Sequence, residues 1–296
     1  MNSLKYCQEL RPVPYFYMDF VWCNGKYLLI SEFSISPYDR GLCHGMSLFE
    51  TLLAVDGEPR LLSAHLDRLR AGLIRLVGPG VELSSPGLRR AMLGLLVKNG
   101  LTEGLARIRL AVSLGKGPLN HIDNGEAWAW ITATPVDETP ATVRITNAPW
   151  RRDRENVLRG LKVGNYAEHL IALDMARREG FGEMLFFNND DELCEAAMAN
   201  VFLIRSGMLL TPALDSGCLA GVTRDLVIRL AASDGIPCRE KKLMRKDVDK
   251  AECMFLTSSI RGPIRISTYL TKHFDEHPLF DSVRKLWLEE MARGGE

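Results

Sequence analysis

The sequence predicts a two-domain protein of mixed helices and strands, an α+β or α/β fold, for three reasons. The chain has 296 residues, whereas a single domain has about 150. Strand-like apolar runs and amphipathic helical segments occur in both halves of the chain. A polar segment bounded by prolines at residues 135–140 has the composition of a linker. We therefore expect an N-terminal α+β domain at 1–134, a linker at 135–141 and a C-terminal domain at 142–296.

The N-terminal half opens with a predicted β-hairpin. Apolar runs at 15–23 and 27–30 flank Asn24-Gly25, a dipeptide that favours a two-residue turn. After the hairpin, continuous apolar runs alternate with the three- and four-residue spacing of amphipathic helices. These segments are, in chain order, a strand at 48–55, a helix capped by Ser63 that runs to about 77, a helix at 88–98, and strands at 106–113 and 127–134.

The C-terminal half contains shorter predicted strands, separated by turns rich in Gly, Asn, Asp and Ser. A helix at 166–179 ends at Gly180, and another begins at Gly221 and continues to Ser233. A charged stretch follows the first strand of this half at 151–154. The remaining elements are strands at 143–147, 183–188, 192–195, 200–205, 208–211 and 254–257, and a last helix at 279–293.

Composition argues against several classes of protein. Lys plus Arg and Asp plus Glu both total 37, so the formal net charge is zero, and we expect neither nucleic acid nor an anionic membrane as a partner. No run approaches the roughly 18 apolar residues of a membrane span, and residues 1–11 are too polar for a signal peptide. The seven cysteines are scattered without a C-x-x-C pair, which favours free thiols in a reducing compartment. We expect a cytoplasmic protein.

The sequence also lacks the motifs of three common enzyme classes. It has no glycine-rich dinucleotide fingerprint after a strand, no P-loop and no nucleophile elbow of the α/β-hydrolases. The six histidines form no pair with metal-ligand spacing on an apolar helix, so we expect no metal site. Function must therefore be sought in single residues whose surroundings are unusual for their chemistry.

Two segments have the features of an anion site. Gly221-Val222-Thr223 places free backbone amides and a hydroxyl at the start of a helix, where the helix dipole favours negative charge. Thr257-Ser258-Ser259 ends an apolar strand and adds further hydroxyls. Each segment has an ordinary alternative, because a plain capped helix and a plain capped turn use the same residue types. The residues alone leave both interpretations open.

Three charged residues occur in apolar stretches. Arg68 lies within the leucine-rich helix, which suggests an ion pair or a bound anion rather than a solvated arginine at the edge of the stripe. Glu195 lies in an apolar run and needs a cationic partner unless it reaches solvent at the strand end. Lys162 lies between two glycines before a helix. A lysine in a packed site can lose its proton and act as a nucleophile or base, although most lysines are solvated.

Taken in order, the motifs of this chain resemble those of the fold-type IV, pyridoxal-phosphate-dependent enzymes, the class-IV aminotransferase family. The resemblance extends from about residue 24 to residue 266 and rests on the ordered set. The matching segments are Asp39-Arg40-Gly41, Phe49-Glu50-Thr51, His65-x-x-Arg68-Leu69, Lys162-x-x-Asn165, Gly182-Glu183, Glu195-x-x-x-x-Asn200-Val201-Phe202, Thr211-Pro212, Gly221-Val222-Thr223-Arg224 and Phe255-Leu256-Thr257-Ser258-Ser259. The resemblance implies a two-domain fold like that of D-amino-acid aminotransferase, with pyridoxal 5'-phosphate in the interdomain cleft and a C-terminal domain that binds it.

The resemblance also implies a role for each matching position. Lys162 corresponds to the lysine that forms a Schiff base with pyridoxal 5'-phosphate and moves protons during the reaction. Glu195 corresponds to the carboxylate that pairs with the pyridine nitrogen and keeps the ring an electron sink. The groups that correspond to the phosphate site are Arg68, Val222, Thr223 and Ser259.

Within the family, the motifs are most similar to those of aminodeoxychorismate lyases. Residues 61–65 and 258–262 follow the lyase pattern, with Ser258 in place of an asparagine. A branched-chain aminotransferase would have glycine at Thr51, and a D-amino-acid aminotransferase would have arginine at Leu119. The resemblance thus implies 4-amino-4-deoxychorismate lyase, which forms 4-aminobenzoate and pyruvate in the folate pathway. The alternatives are an aminotransferase of the branched-chain or D-amino-acid type and a non-catalytic protein of the same fold, against which the intact lysine argues.

The resemblance implies partners as well. The ligand would be a small amino substrate, and its candidate contacts are Lys116, His121 and Arg261. The loop 116–121 matches no subgroup of the family. Family members are homodimers in which this middle loop reaches toward the site of the partner, so we expect the same assembly here.

Overall fold

The computed structural model describes residues 19–122, 125–137 and 139–294 and confirms a mixed α/β fold built on two sheets. The predicted hairpin residues 15–18 and the polar segment 1–11 lie outside the described residues. The strands are β1 (Phe20–Cys23), β2 (Lys26–Leu29), β3 (Ser47–Val55), β4 (Glu58–Pro59), β5 (Leu105–Ser113), β6 (Trp128–Pro135), β7 (Thr142–Arg152), β8 (Glu183–Asn188), β9 (Leu193–Ala196), β10 (Asn200–Arg205), β11 (Met208–Pro212), β12 (Cys238–Lys241), β13 (Cys253–Ser258), β14 (Gly262–Tyr269) and β15 (Lys272–His273). The α-helices are α1 (Arg40–His44), α2 (Leu62–Val77), α3 (Ser85–Lys98), α4 (Ala167–Arg178), α5 (Val222–Ser233), α6 (Arg245–Asp249) and α7 (Pro278–Arg293).

The first sheet is antiparallel and has the strand order β2-β1-β6-β5-β3-β4. The predicted hairpin is confirmed, because β1 pairs with β2 across Asn24 and Gly25, whose φ angles of 41° and 93° suit a two-residue turn. Helix α2 packs on β3, and helix α3 packs on β1 and β6. The apolar face of α2 buries Leu66, Leu69 and Leu73 in the core of this half, as its spacing predicts.

Helices α2 and α3 both begin earlier than the sequence predicts. Helix α2 begins at Leu62, and its N-cap is Leu61, which has a φ of 54° and makes no side-chain hydrogen bond to the helix. Ser63 is therefore not the N-cap, because it lies inside the helix, and the residue directly before the helix is the left-handed Leu61. Helix α3 begins at Ser85, and the Ser84 hydroxyl accepts the Gly87 N–H.

The second sheet has the order β12-β11-β10-β13-β14-β7-β8-β9, with β15 paired to β14. Strand β7 lies parallel to both β14 and β8, whereas β10, β11 and β13 form antiparallel pairs. The sequence predicts that the charged stretch at 151–154 follows the strand, but β7 continues to Arg152 and pairs that residue with Asn188. The side chain of Arg152 is buried. The first two residues of the charged stretch therefore belong to β7, and the last of them, Arg152, is buried.

The chain passes from one sheet to the other between β6 and β7, within the segment predicted as a linker. The exact domain boundaries stay a prediction. One large cavity, of about 760 Å³, is lined by residues of both sheets, among them Phe49 and Arg109 of the first and Glu195 of the second. Within the described ranges, no helix combines the length and the apolar character that a membrane span requires. The cavity is the place where the candidate site must be sought.

Candidate active site

The cavity brings together most of the residues that the sequence singled out. Arg68, Lys162, Glu195, Val222, Thr223, Ser259 and Arg261 all line it. Lys116 and His121 do not line it and are exposed on the loop between β5 and β6. The lining residues come from segments far apart in sequence, so the site exists only in the folded chain.

Lys162 is held in place by the backbone of β3. Its carbonyl accepts a hydrogen bond from the Phe49 N–H at 3.0 Å, and Gly164 N–H donates to the Ser47 carbonyl at 2.7 Å. The ammonium group lies 4.6 Å from the centre of the Phe49 ring and 5.6 Å from that of Tyr166. Within the described part of the chain, no carboxylate lies within salt-bridge distance of Lys162. The amine is thus surrounded by protein without a direct counter-ion.

This environment makes Lys162 more acidic than an ordinary lysine. Burial lowers its pKa, the positive charge of Arg68 lowers it further, and together they bring the pKa to about 8. The charges of Glu50 and Glu195 oppose the shift. At pH 7 roughly one Lys162 in ten is then a neutral amine, compared with fewer than about one in a thousand for a free lysine. A neutral amine can act as a nucleophile or base.

The lowered pKa predicts a pH-dependent stability of the cofactor-free protein. Below pH 8 the folded state carries a buried charge that a Lys162→Met variant lacks, which should make the wild type less stable by about 2 kcal/mol after allowing for solvent in the cavity. Between pH 8 and 10.5 the unfolded state binds more protons, so this deficit should vanish as the pH rises. Urea unfolding of both proteins from pH 7 to 10 measures it. A stability difference independent of pH would contradict the prediction.

Arg68 is fixed by a buried carboxylate that the sequence analysis did not single out. Its guanidinium donates to both oxygens of Glu50, at 2.8 and 2.6 Å, and Nη1 donates to the Ala220 carbonyl at 2.9 Å. Burial alone would raise the pKa of Glu50, but the charge and hydrogen bonds of Arg68, together with the hydrogen bond and charge of His65, outweigh it and lower the pKa to about 2. His65 Nδ1 lies 2.7 Å from the same carboxylate, and its Nε2 lies 3.4 Å from Ser259 Oγ. These hydrogen bonds hold the guanidinium of Arg68 next to the start of α5.

The start of α5 has the unsatisfied donors of an anion site. Its N-cap is Gly221, which offers no side-chain cap, so the plain capped helix is not the arrangement found. The hydroxyls of Thr223 and Thr257 are buried and have no hydrogen-bond partner among the described residues. A Cβ at Gly221 would collide with the carboxamide oxygen of Asn200. Free amides, orphan hydroxyls and a glycine that allows close approach suit a multivalent oxyanion.

Glu195 is buried, with 7% of its surface exposed, so it does not reach solvent at the strand end. One oxygen accepts a hydrogen bond from Arg152 Nη1 at 2.6 Å, and the other accepts the Leu219 N–H at 2.9 Å. Arg152 also lies 3.3 Å from Glu168. The cationic partner that a buried carboxylate needs is Arg152, which sequence reasoning missed because it belongs to a run of charged residues.

Two further ring side chains line the cavity beside Lys162. Tyr166 meets Phe49 edge-on and stacks on His169 at 4.1 Å between ring centres. Burial and the charge of Glu195 raise the pKa of Tyr166, so its hydroxyl stays protonated. Burial and the charge of Arg152 lower the pKa of His169 to about 3, so its ring stays neutral. The only sequence signal for Tyr166 was its position next to the Lys162-x-x-Asn165 motif.

Arg261 and the middle loop differ in their relation to the cavity. Arg261 lines it, but its guanidinium is paired at 2.6 Å with Glu183, which is fully buried. The loop at 114–122 is held by the buried guanidinium of Arg40, which donates to the carbonyls of Leu114, Gly115, Pro118, His121 and Ile122. Lys116 and His121 therefore lie at the surface of the protein and not in the cavity that contains Lys162.

Comparison with known proteins establishes the family. Residues 47–269 match the family described as amino-transferase class IV, and since this range is most of the chain, the protein belongs to that family. The aminodeoxychorismate lyase of Bacillus subtilis is 26% identical over 246 residues, which are 81% of this chain and 83% of that protein. The branched-chain-amino-acid aminotransferase of Salmonella typhimurium is 26% identical over 253 residues, 81% of this chain and 82% of that protein.

Solved structures agree with this assignment. The 4-amino-4-deoxychorismate lyase from Pseudomonas aeruginosa superposes with a TM-score of 0.78 at 26% identity, over 91% of this chain and 98% of that chain. The pyridoxal-phosphate-bound form of a hypothetical aminotransferase from Mycobacterium tuberculosis shares the fold, with a TM-score of 0.83 at 22% identity over 93% and 100% of the two chains. The protein is an enzyme of the pyridoxal-phosphate-dependent class IV family. Its relatives include both a lyase and an aminotransferase, so the comparisons do not identify its substrate.

The chemistry of the cavity fits this cofactor. A phosphate ester requires cations and N–H or O–H donors, which the Arg68 guanidinium, the free end of α5 and the orphan hydroxyls supply. A protonated pyridine requires a buried carboxylate, and Glu195 is one. The aldehyde requires a neutral amine, which Lys162 provides.

Proposed function

We propose that the protein is a 4-amino-4-deoxychorismate lyase, which releases pyruvate and leaves 4-aminobenzoate. One observation carries this choice within the family. The two segments that follow the lyase pattern in sequence, 61–65 and 258–262, meet beside the cavity, where His65 Nε2 lies 3.4 Å from Ser259 Oγ. Ser259 and Arg261 both line the cavity. Thr51, where a branched-chain aminotransferase would have glycine, lines the same cavity as Lys162.

Each cofactor-binding role goes to a residue of the cavity. Lys162 would hold pyridoxal 5'-phosphate covalently, and Glu195 would pair with its pyridine nitrogen. The phosphate would be bound by Arg68, the α5 residues Val222 and Thr223, and Ser259. When bound, the cofactor withdraws electrons from the substrate carbon that carries the amine. Arg152 orients Glu195, because its guanidinium donates a hydrogen bond to the carboxylate at 2.6 Å.

The remaining chemistry belongs to the side chains of the chain itself. Lys162 Nζ, once free, is the base that accepts a proton from the substrate and returns it, and its pKa of about 8 suits a group that works in both directions near neutral pH. Phe49 and Tyr166 limit the directions in which this amine can move, since their rings lie beside it. The protonated Tyr166 hydroxyl is a hydrogen-bond donor in the same cavity.

The test separates the lyase from an aminotransferase. Purified holoenzyme incubated with 4-amino-4-deoxychorismate should release 4-aminobenzoate and pyruvate in equal amounts. The same enzyme incubated with an L- or D-amino acid alone should keep its absorption spectrum. Conversion of the cofactor to the pyridoxamine form by an amino acid, without 4-aminobenzoate formation from the chorismate derivative, would show an aminotransferase instead.

We also infer that two copies of the chain associate through the face that bears the middle loop. Four apolar side chains are exposed there on α1, on the residues before it and on the loop that Arg40 holds: Tyr38, Leu42, Leu119 and Ile122. Such a cluster is typical of a subunit interface. Sedimentation at micromolar concentration measures the assembly, and a monomer would contradict it.

A cytoplasmic location stays a prediction from the cysteine pattern.

A further inference from the structure

His65 is a buried histidine that the proposed reaction does not use. Only 1% of its surface is exposed, and it lies in α2, three residues before Arg68. Its Nδ1 lies 2.7 Å from Glu50 Oε2, and its Nε2 lies 3.4 Å from Ser259 Oγ. Glu50 belongs to β3 and Ser259 to the turn after β13, so the three side chains meet only in the folded chain. They form a hydrogen-bonded relay from a buried carboxylate to the wall of the cavity.

The chemistry of the acceptors fixes the direction of each hydrogen bond in this relay. The pKa of Glu50 is about 2, so its carboxylate is ionised and can only accept hydrogen bonds. His65 Nδ1 must therefore carry a hydrogen and donate it to Glu50. Burial lowers the pKa of His65, so at neutral pH the ring has no second hydrogen and Nε2 is an acceptor. The Ser259 hydroxyl then donates to Nε2, and its hydrogen points toward His65 rather than into the cavity.

A phosphate group bound at Ser259 requires the opposite direction. Phosphate oxygens accept hydrogen bonds at neutral pH, so Ser259 would have to donate its single hydrogen to them. His65 Nε2 would then be a buried acceptor without a donor, because Ser259 is its only hydrogen-bond partner among the described residues. One added proton removes this conflict. An Nε2–H group donates to Ser259 Oγ, and the hydroxyl is free to donate to the phosphate.

The charges around His65 determine when it can hold this proton. Glu50 of β3 attracts the proton, whereas Arg68 of the same helix and Lys162 before α4 repel it. The turn after β13 faces the ring with the uncharged Ser259. Burial and the two cations together keep the ring neutral in the absence of an anion. A dianion in the cavity acts in the opposite sense, because a nearby negative charge favours the cationic form of a histidine.

We propose that a phosphate group bound at Ser259 draws one proton from solvent onto Nε2 of His65, so that cofactor binding and histidine protonation are linked. The inference rests on the proposed function only in placing the phosphate at Ser259, and it does not depend on the reaction catalysed. His65 is thus a positioning residue that directs the Ser259 hydroxyl at the phosphate. By linkage, His65 makes the cofactor bind more tightly as the pH falls. The gain is at most about tenfold per pH unit, between the pKa of His65 in the free protein and its higher pKa in the holoenzyme.

NMR of protein labelled with ¹⁵N-histidine tests this proposal, because the ¹⁵N shifts of an imidazole report both its tautomer and its charge. In the cofactor-free protein at pH 7, the His65 signals should be those of a neutral ring with its hydrogen on Nδ1. In the pyridoxal 5'-phosphate holoenzyme at the same pH, they should be those of an imidazolium. The His65→Gln variant assigns the signals. The exposed His273, which does not line the cavity, is the internal reference and should not respond to the cofactor.

Ser259→Ala is the decisive variant, because it removes the hydroxyl between His65 and the cavity and leaves the Glu50 contact in place. In its holoenzyme, His65 should stay neutral at pH 7. Its affinity for pyridoxal 5'-phosphate should fall by about tenfold, as the loss of one charge-assisted hydrogen bond implies. Ser258→Ala is the matched control. It removes the neighbouring hydroxyl, which accepts the Arg261 N–H and has no hydrogen bond with His65, so the imidazolium should persist.

Two results would overturn the proposal: a neutral His65 in the wild-type holoenzyme at pH 7, or an imidazolium that persists in a folded Ser259→Ala holoenzyme. Cofactor affinity separates this failure from a wrong placement of the phosphate. Weaker binding by Ser259→Ala with a neutral wild-type His65 rejects only the proton link. Unchanged binding by Ser259→Ala shows that the phosphate does not lie at Ser259 and rejects both. Release of 4-aminobenzoate tests the lyase assignment independently of these results.

Discussion

Replacing Lys162 with alanine should lower kcat by about 10⁴-fold or more, because no other described amine lines the cavity to take its place as nucleophile and base. The visible absorption band of the lysine-bound cofactor should disappear as well. Both effects are measured on purified protein saturated with pyridoxal 5'-phosphate. The variant should remain folded, since the lysine contributes a buried charge and lies within salt-bridge distance of no described carboxylate.

Lys162→Arg is the matched control for this prediction. It keeps a cation between Phe49 and Tyr166, but a guanidinium stays protonated and cannot serve as a base at neutral pH. Turnover should therefore be lost to the same extent as in Lys162→Ala. If Lys162→Arg retained more than a few per cent of the wild-type kcat, charge rather than proton transfer would be the contribution of this residue.

The Glu195→Gln substitution should lower kcat by about 10²- to 10³-fold, as expected when one preorganised charge is removed from a reacting centre. The carboxylate that would face the cationic pyridine becomes a neutral amide of the same shape. Stability should fall by about 1–3 kcal/mol, because an amide can accept the Arg152 hydrogen bond or the Leu219 hydrogen bond with its single oxygen, but not both well. Steady-state kinetics and urea unfolding of the holoenzyme measure the two effects.

Glu192→Gln provides the comparison for Glu195→Gln. Glu192 immediately precedes β9, is buried, and pairs with Lys242 and Asn188, but it does not line the cavity. Its substitution should cost stability and leave kcat near the wild-type value. Equal losses of kcat in the two variants would show that the effect at Glu195 is structural, and the proposed contact with the pyridine nitrogen would then be wrong.

Local pattern accounts for most of the secondary structure. The spacing of Leu66, Leu69 and Leu73 predicts the buried face of α2, and Asn24-Gly25 predicts the first turn, because both depend on residues close together in the chain. The errors occur where contacts distant in sequence decide the structure. Helix α2 begins before Ser63, and β7 continues through a charged run because the paired strand β8 supports it.

The candidate site divides in the same way. The family resemblance implies Lys162, Arg68, Glu195 and the start of α5 as one set of residues, and in the structure all of them line one cavity. Their partners are not readable from the sequence. Glu50 lies in the Phe49-Glu50-Thr51 motif, which implies no role for it, and no sequence pattern marks Arg152 or Arg109. Only folding shows that Arg152 meets Glu195 and that Arg109 shares the ring of Phe49 with Lys162.

The sequence by itself predicted most of the longer helices and strands, although not α1, α6, β12 or β14, and its resemblance to a family implied the class of cofactor and a role for Lys162. The tertiary structure decided which charges are neutralised and which are left facing the cavity. Glu50 neutralises Arg68 and Glu183 neutralises Arg261, whereas Arg107 and Arg109 have no carboxylate partner among the described residues. The physical reason is that a pKa and an ion pair depend on distance and burial in space, while sequence patterns report only neighbours along the chain.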